Sequence, residues 1–255
     1  SIRGFSFNLR PVMPRLWILS DLHREVSENR AFLPARVDAD VLIVAGDVQE
    51  ESISEAIAFV DSIRGGMEAV VVAGNHECWG NSLQAVSEAG KDAGHRHGVH
   101  FLDDSFVELA GLTIGGGTFW HPVCNQDIVA APDLTKIMTG EQPAWFGGRH
   151  PSLPYEEPIF VDGPGVMDRR AKNRTIQQRH EASIAALLSR HADVVVTHYP
   201  PTMAALSALP NARLWVHGHI HRRIESRHGD TRIVGNARGG FSIVPDFSPG
   251  LVVEI

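Results

Sequence analysis

Cysteine is scarce in this chain. Its 255 residues include only Cys78 and Cys124, and neither belongs to a CxxC pair. This scarcity excludes a disulfide framework and gives no support to a zinc-ribbon site. We expect free, mostly buried thiols and a cytoplasmic location, with a single Cys78–Cys124 bridge as the alternative.

Long apolar segments are also missing. No uninterrupted apolar run reaches the roughly 20 residues that a membrane-spanning helix needs. The N-terminal residues lack the charged-then-apolar pattern of a secretory signal peptide. We therefore expect no membrane partner and no export by that route.

The chain has fewer basic than acidic residues. The sequence has 23 Lys and Arg against 30 Asp and Glu, which gives a formal net charge of -7. A broad basic face that would bind duplex DNA or RNA by counterion release is therefore not expected. We predict no stable nucleic-acid partner, and an anionic substrate would need a local positive charge such as a bound metal cation.

The length and the 43% content of hydrophobic residues are typical of one α/β domain. We predict a single domain over residues 13–255. Residues 1–12 read as neither strand nor helix, and we expect an extension or an expression-vector remnant there, with Met13 as a candidate start.

Short apolar runs such as Val41–Val44 and Val70–Val72 alternate with helical patterns. Such runs are typical of strands that are covered on both faces, as in a parallel sheet. After residue 101 the strands become shorter, which indicates a second, mixed sheet. The sequence thus predicts an α/β fold in which two mixed sheets pack together with helices on both outer faces, a four-layer α/β/β/α sandwich.

Residues 119–174 are rich in Pro, Gly, Trp and Arg and show no sustained period. A segment of this length is too long for a simple connector inside one domain. We predict that it is a substrate-binding insertion.

Five short segments carry potential metal ligands at the ends of predicted strands. They are Asp21-Leu22-His23, Gly46-Asp47, Gly74-Asn75-His76-Glu77, Thr197-His198 and Gly218-His219-Ile220-His221. Aspartate, asparagine and histidine side chains are donors that divalent transition metals accept. Because nearly all of these residues directly follow apolar runs, we expect them to meet at one rim of the sheets.

The spacing within the segments suggests how they bind. Residues two apart in an extended strand end project to the same side, so Asp21 and His23 can reach one cation, as can His219 and His221 from the same rim. A carboxylate such as Asp47 can bridge two cations about 3.5 to 4 Å apart, which is the arrangement used for hydrolysis by in-line displacement.

The order D-x-H, GD, GNH(E/D), H and GHxH over residues 21 to 221 resembles the signature of the calcineurin-like metallophosphoesterase superfamily. The chain is most similar to the small bacterial members. The resemblance implies a metallophosphoesterase-like four-layer fold and a dinuclear, metal-dependent hydrolase that acts on small phosphate esters.

The resemblance also implies a ligand set for two divalent metal ions, for which Mn, Fe, Zn, Co and Ni are the candidates. One ion would be held by Asp21, His23, Asp47 and His221. The other would be held by Asp47, Asn75, His198 and His219. Asp47 would be the bridge, and a hydroxide that bridges the two metals would be the nucleophile.

Further roles follow from the same resemblance. His76 would bind the phosphate and protonate the leaving oxygen as a general acid. Glu77 is expected to support the ligands indirectly, or to be a hydrogen-bonded turn carboxylate. Glu50 is a candidate to orient His76, with a solvated glutamate at a helix start as the alternative. Trp120 and His121 are candidates for substrate contact.

Some motifs depart from those of known branches. The chain has Arg24 and not glycine after His23, and it lacks the GDxVDRG arginine, so a eukaryotic-type protein phosphatase is disfavoured. The lipid A pathway hydrolases carry arginine where His76 stands, which argues against assigning the chain to that branch. We expect a phosphodiesterase, with a broad phosphomonoesterase, a non-catalytic scaffold on the same fold and a single-strand nuclease as alternatives.

Overall fold

Two β-sheets form the centre of the computed structural model, which describes residues 13–120, 169–209, 212–240 and 242–255. Within these residues the first sheet is built from β1 (Arg15–Leu19), β2 (Val41–Val44), β3 (Glu68–Val72), β4 (His100–Leu102) and β11 (Val252–Glu254). Strands β1 to β4 are parallel, and β11 pairs antiparallel with β1 at the edge.

The second sheet is also mixed. Its strands in the described part of the chain are β5 (Ser105–Leu109), β6 (Leu112–Gly117), β7 (Val194–Thr197), β8 (Leu214–His217), β9 (Arg223–His228) and β10 (Thr231–Asn236). Their order is β5-β6-β7-β8-β10-β9. The inner strands are parallel to one another, whereas β5 and β9 pair antiparallel at the two edges.

Helices cover the outer face of each sheet. The described helices are α1 (Ser27–Arg30), α2 (Ile53–Arg64), α3 (Asn75–Cys78), α4 (Leu83–His97), α5 (Arg169–Leu188) and α6 (Met203–Ala208). Residues of α2 and α4 share a buried cluster with the outer face of the first sheet, and residues of α5 and α6 share one with the second. The predicted four-layer α/β/β/α sandwich is confirmed.

The alternation of side chains along β1 explains the layers. Trp17 is fully buried in the cluster that includes Ile57 of α2. Its neighbour Ile18 is fully buried in a separate cluster that includes Val196 and Val216 of the second sheet. Because successive residues of a strand point to opposite faces, a continuous apolar run is needed when both faces are covered.

The two sheets are joined at the rim where their parallel strands end. Ser20, directly after β1, forms an isolated parallel bridge with Ala237, directly after β10. The side-chain amide of Asn236 reinforces this junction by donating to the Ile18 carbonyl oxygen at 2.7 Å. The loops that follow β1, β2, β3, β7 and β8 therefore open on the same edge of the molecule.

Some boundaries differ from those predicted. Helix α4 ends at His97, because Gly98, with φ 61°, provides the left-handed residue that terminates it. The side chain of His97 pairs with Asp61 of α2 at 3.0 Å. Helix α5 begins at Arg169, so the end of the predicted insertion 119–174 is helical; residues 121–168 lie outside the described part.

The structure also bears on the predictions made for the cysteines and for membrane-spanning helices. Cys78 is buried at the end of α3, while Cys124 lies outside the described residues. Within the described segments, none of the helices combines the length and the apolar character that crossing a membrane requires.

Candidate metal centre

All seven predicted metal ligands lie at the shared rim, six of them in loops and Asn75 at the first residue of a short helix. Asp21 and His23 follow β1, Asp47 follows β2, Asn75 begins α3 after β3, His198 follows β7, and His219 and His221 follow β8. Most of these side chains are buried, whereas the His221 side chain is 41% exposed. The centre is therefore closed on the protein side and open to solvent on the side of His221.

One group of ligand atoms matches the first predicted set. Single donor atoms of Asp21, His23, Asp47 and His221 all lie within 4.8 Å of one another. Nε2 of His23 is 3.0 Å from Nε2 of His221, which in turn is 3.5 Å from Oδ1 of Asp21. These four side chains are close enough together to hold a metal ion.

A second group forms around the amide of Asn75. Oδ1 of Asn75 lies 2.8 Å from Nε2 of His198 and 3.2 Å from Nδ1 of His219. Nε2 of His198 is also 3.4 Å from Oδ2 of Asp47. The second predicted set is thus brought together as well.

Asp47 lies between the two groups. Its Oδ2 is 3.7 Å from Nε2 of His23 in the first group and 3.4 Å from Nε2 of His198 in the second. Its Oδ1 instead accepts the backbone N–H of His76 at 2.9 Å. One oxygen is therefore fixed by the backbone, and the other is left facing both groups.

The donor set fits divalent cations. Asp21 and Asp47 are buried carboxylates, and Oδ2 of Asp21 is a buried atom with no hydrogen-bond partner among the described atoms. Burying an ionised group costs several kcal/mol, on the order of a lost ion pair, unless a charge or hydrogen bonds compensate it. A cation beside Asp21 would provide that compensation, and the mixture of oxygen and nitrogen donors suits a transition metal.

The pKa values reflect this concentration of carboxylates. Burial lowers the pKa of His198, but the charges of Asp47 and Asp21 outweigh burial and raise it to about 10. Burial likewise opposes, but does not prevent, a rise in the pKa of His23 to about 9, caused by its hydrogen bond to Glu25 and by Asp47.

The carboxyl groups shift in the opposite direction. Burial raises the pKa of Asp47, but the imidazoles of His198, His76 and His23 lower it overall, far below its usual range. The pKa of Asp21 is also lowered, so both aspartates are ionised and the site favours positive charge.

The backbone at the centre is unusual. Five of the seven predicted ligands have φ between 43° and 71°, namely Asp21, His23, Asp47, His219 and His221. Only four other non-glycine residues in the described part have positive φ. The left-handed conformation is uncommon for such residues and clusters at functional sites.

This backbone corrects the expected geometry. Asp21 and His23 were predicted to converge because they alternate along an extended strand end. Instead both residues are left-handed, and their N–H groups donate to the carbonyl oxygens of Gly46 and Asp47 at 3.0 Å. The loop after β1 is hydrogen-bonded to the loop after β2, and this pairing turns the ligands inward.

Glycine is required where the loops pack closest. A Cβ on Gly74 would lie 2.0 Å from Oδ1 of Asp47, and a Cβ on Gly218 would lie 2.5 Å from Oδ2 of Asp21. Neither distance is compatible with a side chain. The glycines of the GNHE and GHIH segments thus allow the backbone to approach the buried carboxylates.

His76 lies beside the two groups, and its role outside the ligand set stays a prediction. Its Nε2 is 3.9 Å from Oδ2 of Asp47, and its Nδ1 is 3.3 Å from Oε1 of Glu25. Its ring is stacked on Trp79 with centroids 3.6 Å apart. Neither Glu25 nor Trp79 was predicted from the sequence, although each stands within three positions of a motif histidine.

Glu25 lies beside both His23 and His76. Oε1 of Glu25 accepts from Nδ1 of His23 at 2.8 Å, and donor atoms of Glu25, His23 and His76 lie within 4.8 Å of one another. The backbone N–H of Glu50 donates to Oε2 of Glu25 at 3.2 Å. Glu50 thus contacts Glu25 through its backbone N–H, and an orienting role of its side chain toward His76 stays a prediction.

Glu77 is buried behind the ligands. Its carboxylate accepts backbone N–H groups of Asp47, Val48, Gln49 and Gly74 at 2.6–3.1 Å. Burial raises its pKa, and these backbone donors oppose the rise. The side chain holds the loop after β2 against the loop after β3.

Aromatic residues surround the second group. Tyr199, which the sequence analysis did not single out, stacks on His219 with centroids 4.2 Å apart. Trp120 is 5% exposed, and its ring centroid lies 5.6 Å from that of Tyr199. Tyr199 therefore lies between Trp120 and the predicted ligand His219. The other predicted substrate contact, His121, lies outside the described residues. His217 is buried, with Nδ1 3.0 Å from the Gly218 carbonyl oxygen.

A cavity of about 820 Å³ opens beside the first group. His23, His76, His221 and the ring of Trp79 form its inner wall. The remaining polar lining includes the glutamates Glu25, Glu28, Glu50 and Glu51. A molecule bound at the centre would extend into a strongly acidic space.

Comparison with known proteins identifies the family of this chain. A family model described as calcineurin-like phosphoesterase matches residues 14–223. A phosphopantetheinyl hydrolase from Mycobacterium tuberculosis is similar in structure, with a TM-score of 0.57, 20% identity and 91% of each chain covered. A putative 5'-nucleotidase from Staphylococcus aureus matches with a TM-score of 0.43 and 16% identity, over 88% of this chain and 48% of the nucleotidase. No curated protein sequence matches.

Proposed function

The chain belongs to the calcineurin-like phosphoesterase family, and we propose that it hydrolyses small phosphate esters, preferably phosphodiesters, at a centre of two divalent cations. One observation carries this proposal: Oδ2 of Asp47 faces His23 on one side and His198 on the other. A carboxylate oxygen in this position can bridge two cations about 3.5 to 4 Å apart.

The ligand groups divide between the two cations. We assign one cation to Asp21, His23, Asp47 and His221, and the other to Asp47, Asn75, His198 and His219. Bound there, the cations would lower the pKa of water between them and offset the charge that develops on the phosphoryl oxygens. Mn, Fe, Zn, Co and Ni all accept this mixture of donors.

His76 is proposed to protonate the leaving oxygen. Its Nδ1 faces Glu25, so Nε2, which lies 3.9 Å from Oδ2 of Asp47, is the nitrogen available to the substrate. As the bond from phosphorus to the leaving oxygen breaks, the electron pair stays on that oxygen and a proton from Nε2 neutralises it. General acid catalysis of this kind typically contributes about 10²–10⁴-fold in rate.

The acidic cavity supports a preference for diesters. Glu25, Glu28, Glu50 and Glu51 line the space that the leaving alcohol would enter. A monoester carries one more negative charge than a diester near neutral pH, and extended nucleic acid carries many, so both are disfavoured there by charge repulsion. A small diester with an uncharged alcohol fits best.

The cytoplasmic location inferred from the cysteine content stays a prediction.

Hydrolysis of two model substrates tests the proposal. Protein freed of metal with a chelator and reloaded with Mn²⁺ should hydrolyse bis-p-nitrophenyl phosphate faster than p-nitrophenyl phosphate. The chelated protein and the Asp47→Asn variant are the controls, and both should be nearly inactive. Faster hydrolysis of the monoester would favour the phosphomonoesterase alternative. Absence of both activities in metal-loaded protein would contradict the proposed function.

A further inference from the structure

Glu25 connects a predicted metal ligand to the predicted general acid. Its Oε1 accepts from Nδ1 of His23 at 2.8 Å and lies 3.3 Å from Nδ1 of His76. Its Oε2 accepts the backbone N–H of Glu50 at 3.2 Å. One carboxylate therefore faces two imidazoles while its other oxygen is anchored to the main chain.

The surroundings leave the His76 ring one favoured orientation. The Trp79 ring stacks on one face at 3.6 Å, and the His23 ring meets it edge-on with centroids 4.4 Å apart. The backbone N–H of His76 is held by Oδ1 of Asp47 at 2.9 Å. With the ring plane set by these contacts, the hydrogen-bonding partner at Nδ1 decides which nitrogen carries the proton and where Nε2 points.

We propose that Glu25 is a positioning residue for the general-acid step, which rests on the function proposed above. Nδ1 of His76 is a buried atom with no hydrogen-bond partner among the described residues, and Oε1 of Glu25 lies 3.3 Å from it. By accepting from this Nδ1–H after a slightly closer approach, Glu25 fixes the ring so that Nε2 faces the leaving oxygen. When Nε2 gives up its proton and the bond from phosphorus to oxygen breaks, His76 is left neutral with Nδ1–H still held by Glu25. Glu25 itself neither gains nor loses a proton.

The leaving group provides the test. Phenolate is a much stronger base than p-nitrophenolate and depends far more on protonation as it departs. The Glu25→Gln variant should therefore slow hydrolysis of diphenyl phosphate about tenfold more than hydrolysis of bis-p-nitrophenyl phosphate. The loss should fall on kcat, with KM within about twofold, because the effect is on the transition state.

Matched variants separate positioning from other roles. Glu28→Gln, which removes a charge from the same cavity, should change both substrates equally. Glu25→Asp keeps a carboxylate and should recover part of the selective loss. In a His76→Asn background, Glu25→Gln should add little on diphenyl phosphate, because residues that act as a unit are not additive.

A spectroscopic measurement tests the inference without turnover. In ¹⁵N-histidine NMR spectra of the metal-free protein, assigned with the His76→Asn variant, His76 should show Nδ1–H in the wild type and a changed nitrogen pattern in Glu25→Gln. Metal content is measured for every variant, because Glu25 also contacts His23.

The outcomes are distinguishable from failure of the proposed function. A wild-type protein that hydrolyses neither diester would contradict the function itself. If the wild type is active and Glu25→Gln slows the hydrolysis of both diesters equally, the positioning role is overturned. Equal slowing that added Mn²⁺ reverses would also overturn it, and would assign Glu25 to the support of His23.

Discussion

Oδ1 of Asn75 lies 2.8 Å from Nε2 of His198, and this contact joins the loop after β3 to the loop after β7. The other ring nitrogen of His198 faces the Ala45 carbonyl oxygen at 2.9 Å. An amide oxygen and an unprotonated imidazole nitrogen are both acceptors, so the contact requires a positive species, either a proton or a cation. A cation held by Asn75 and His198, as proposed above, would take the place of that proton.

Removing the amide should empty the proposed second cation position selectively. We predict that Asn75→Ala binds about one equivalent of Mn²⁺ less than the wild type and loses at least tenfold in kcat, because a ligand and its orientation are lost together. Asn75→Asp keeps an oxygen donor and should retain most of the metal. Metal analysis after gel filtration, with assays on bis-p-nitrophenyl phosphate, checks both. Full metal occupancy in the alanine variant would contradict the assignment of Asn75.

Metal binding should release protons. The pKa of His198 is raised to about 10 and that of His23 to about 9, so both are protonated at pH 7 when no metal is bound. A cation must displace these protons, and its apparent affinity should rise by up to about tenfold per pH unit for each proton displaced, until the pH reaches these values.

Calorimetry can count these protons. Titration of the chelated protein with Mn²⁺ at pH 7, in two buffers of different ionisation enthalpy, should give heats that differ by the protons released. Equal heats in both buffers, or an affinity that does not change between pH 6 and pH 8, would contradict the prediction.

The sequence predicted which residues meet, because donors that directly follow buried parallel strands must lie at one rim. It did not predict how they meet. The left-handed conformation of Asp21 and Asp47 arises from hydrogen bonds between loops that are 26 positions apart, and no local pattern encodes it. Glu25 was missed for the same reason, since its contact with His76 depends on two loops folding against each other.

Short elements were harder to predict than long ones. Strands β2 and β3 can be recognised from the sequence by their continuous apolar runs. Helix α2 can be recognised by its periodic pattern. Helix α3 has only four residues, and its ends are set by Gly74 and by contacts with Asp47. Strand β4 has three residues, including His100, whose side chain pairs with Glu68 at 3.0 Å. Tertiary contacts determine such elements, and their sequences carry little signal.

Gly74 should tolerate no side chain. A Cβ there would lie 2.0 Å from Oδ1 of Asp47, so Gly74→Ala must displace the shared carboxylate or the loop that carries it. We expect a loss of metal and of at least 100-fold in activity. Gly240→Ala is the matched control, because its Cβ would meet the His221 and His23 rings at an ordinary 3.7 Å. Comparable losses in both variants would refute the steric argument.

Asp104 should make stability depend on pH. Burial raises the pKa of Asp104, its neighbour Asp103 adds to the rise, and a hydrogen bond to Ser183 opposes it. A raised pKa means that the ionised form is disfavoured in the folded state. The resulting loss of stability is absent below the unfolded pKa of about 3.9 and is complete once the pH exceeds the folded pKa.

Asp104→Asn removes this penalty and tolerates the positive φ of 49°. The difference in free energy of unfolding, variant minus wild type, should therefore become more positive from pH 4 to pH 7. Urea denaturation of the chelated proteins measures it, and Asp92→Asn, a change in an exposed pair with Arg96, is the control. A difference that shrinks over this range would contradict the prediction.

Glu77 should be among the most sensitive positions for stability. Each carboxylate oxygen accepts two backbone N–H groups, and together the four donors come from two loops; they include Val48 at 2.6 Å and Gly74 at 2.7 Å. In Glu77→Gln the amide nitrogen must replace one oxygen, which leaves buried N–H groups facing another donor. An unsatisfied buried group costs about 1–3 kcal/mol, so we expect a loss of roughly 2–4 kcal/mol. That corresponds to a decrease in Tm of about 4–16 °C for a chain of this size.

The exposed residue Glu55 provides the control for this substitution. Glu55→Gln makes the same chemical change at the first turn of α2 and should alter the free energy of unfolding by less than about 0.5 kcal/mol. Thermal denaturation should be measured on chelated proteins, because bound metal would stabilise the folded state separately. If Glu77→Gln matched Glu55→Gln under these conditions, the loops that carry Asp47 and Asn75 would have to be held by other contacts, and Glu77 would have no structural role at the centre.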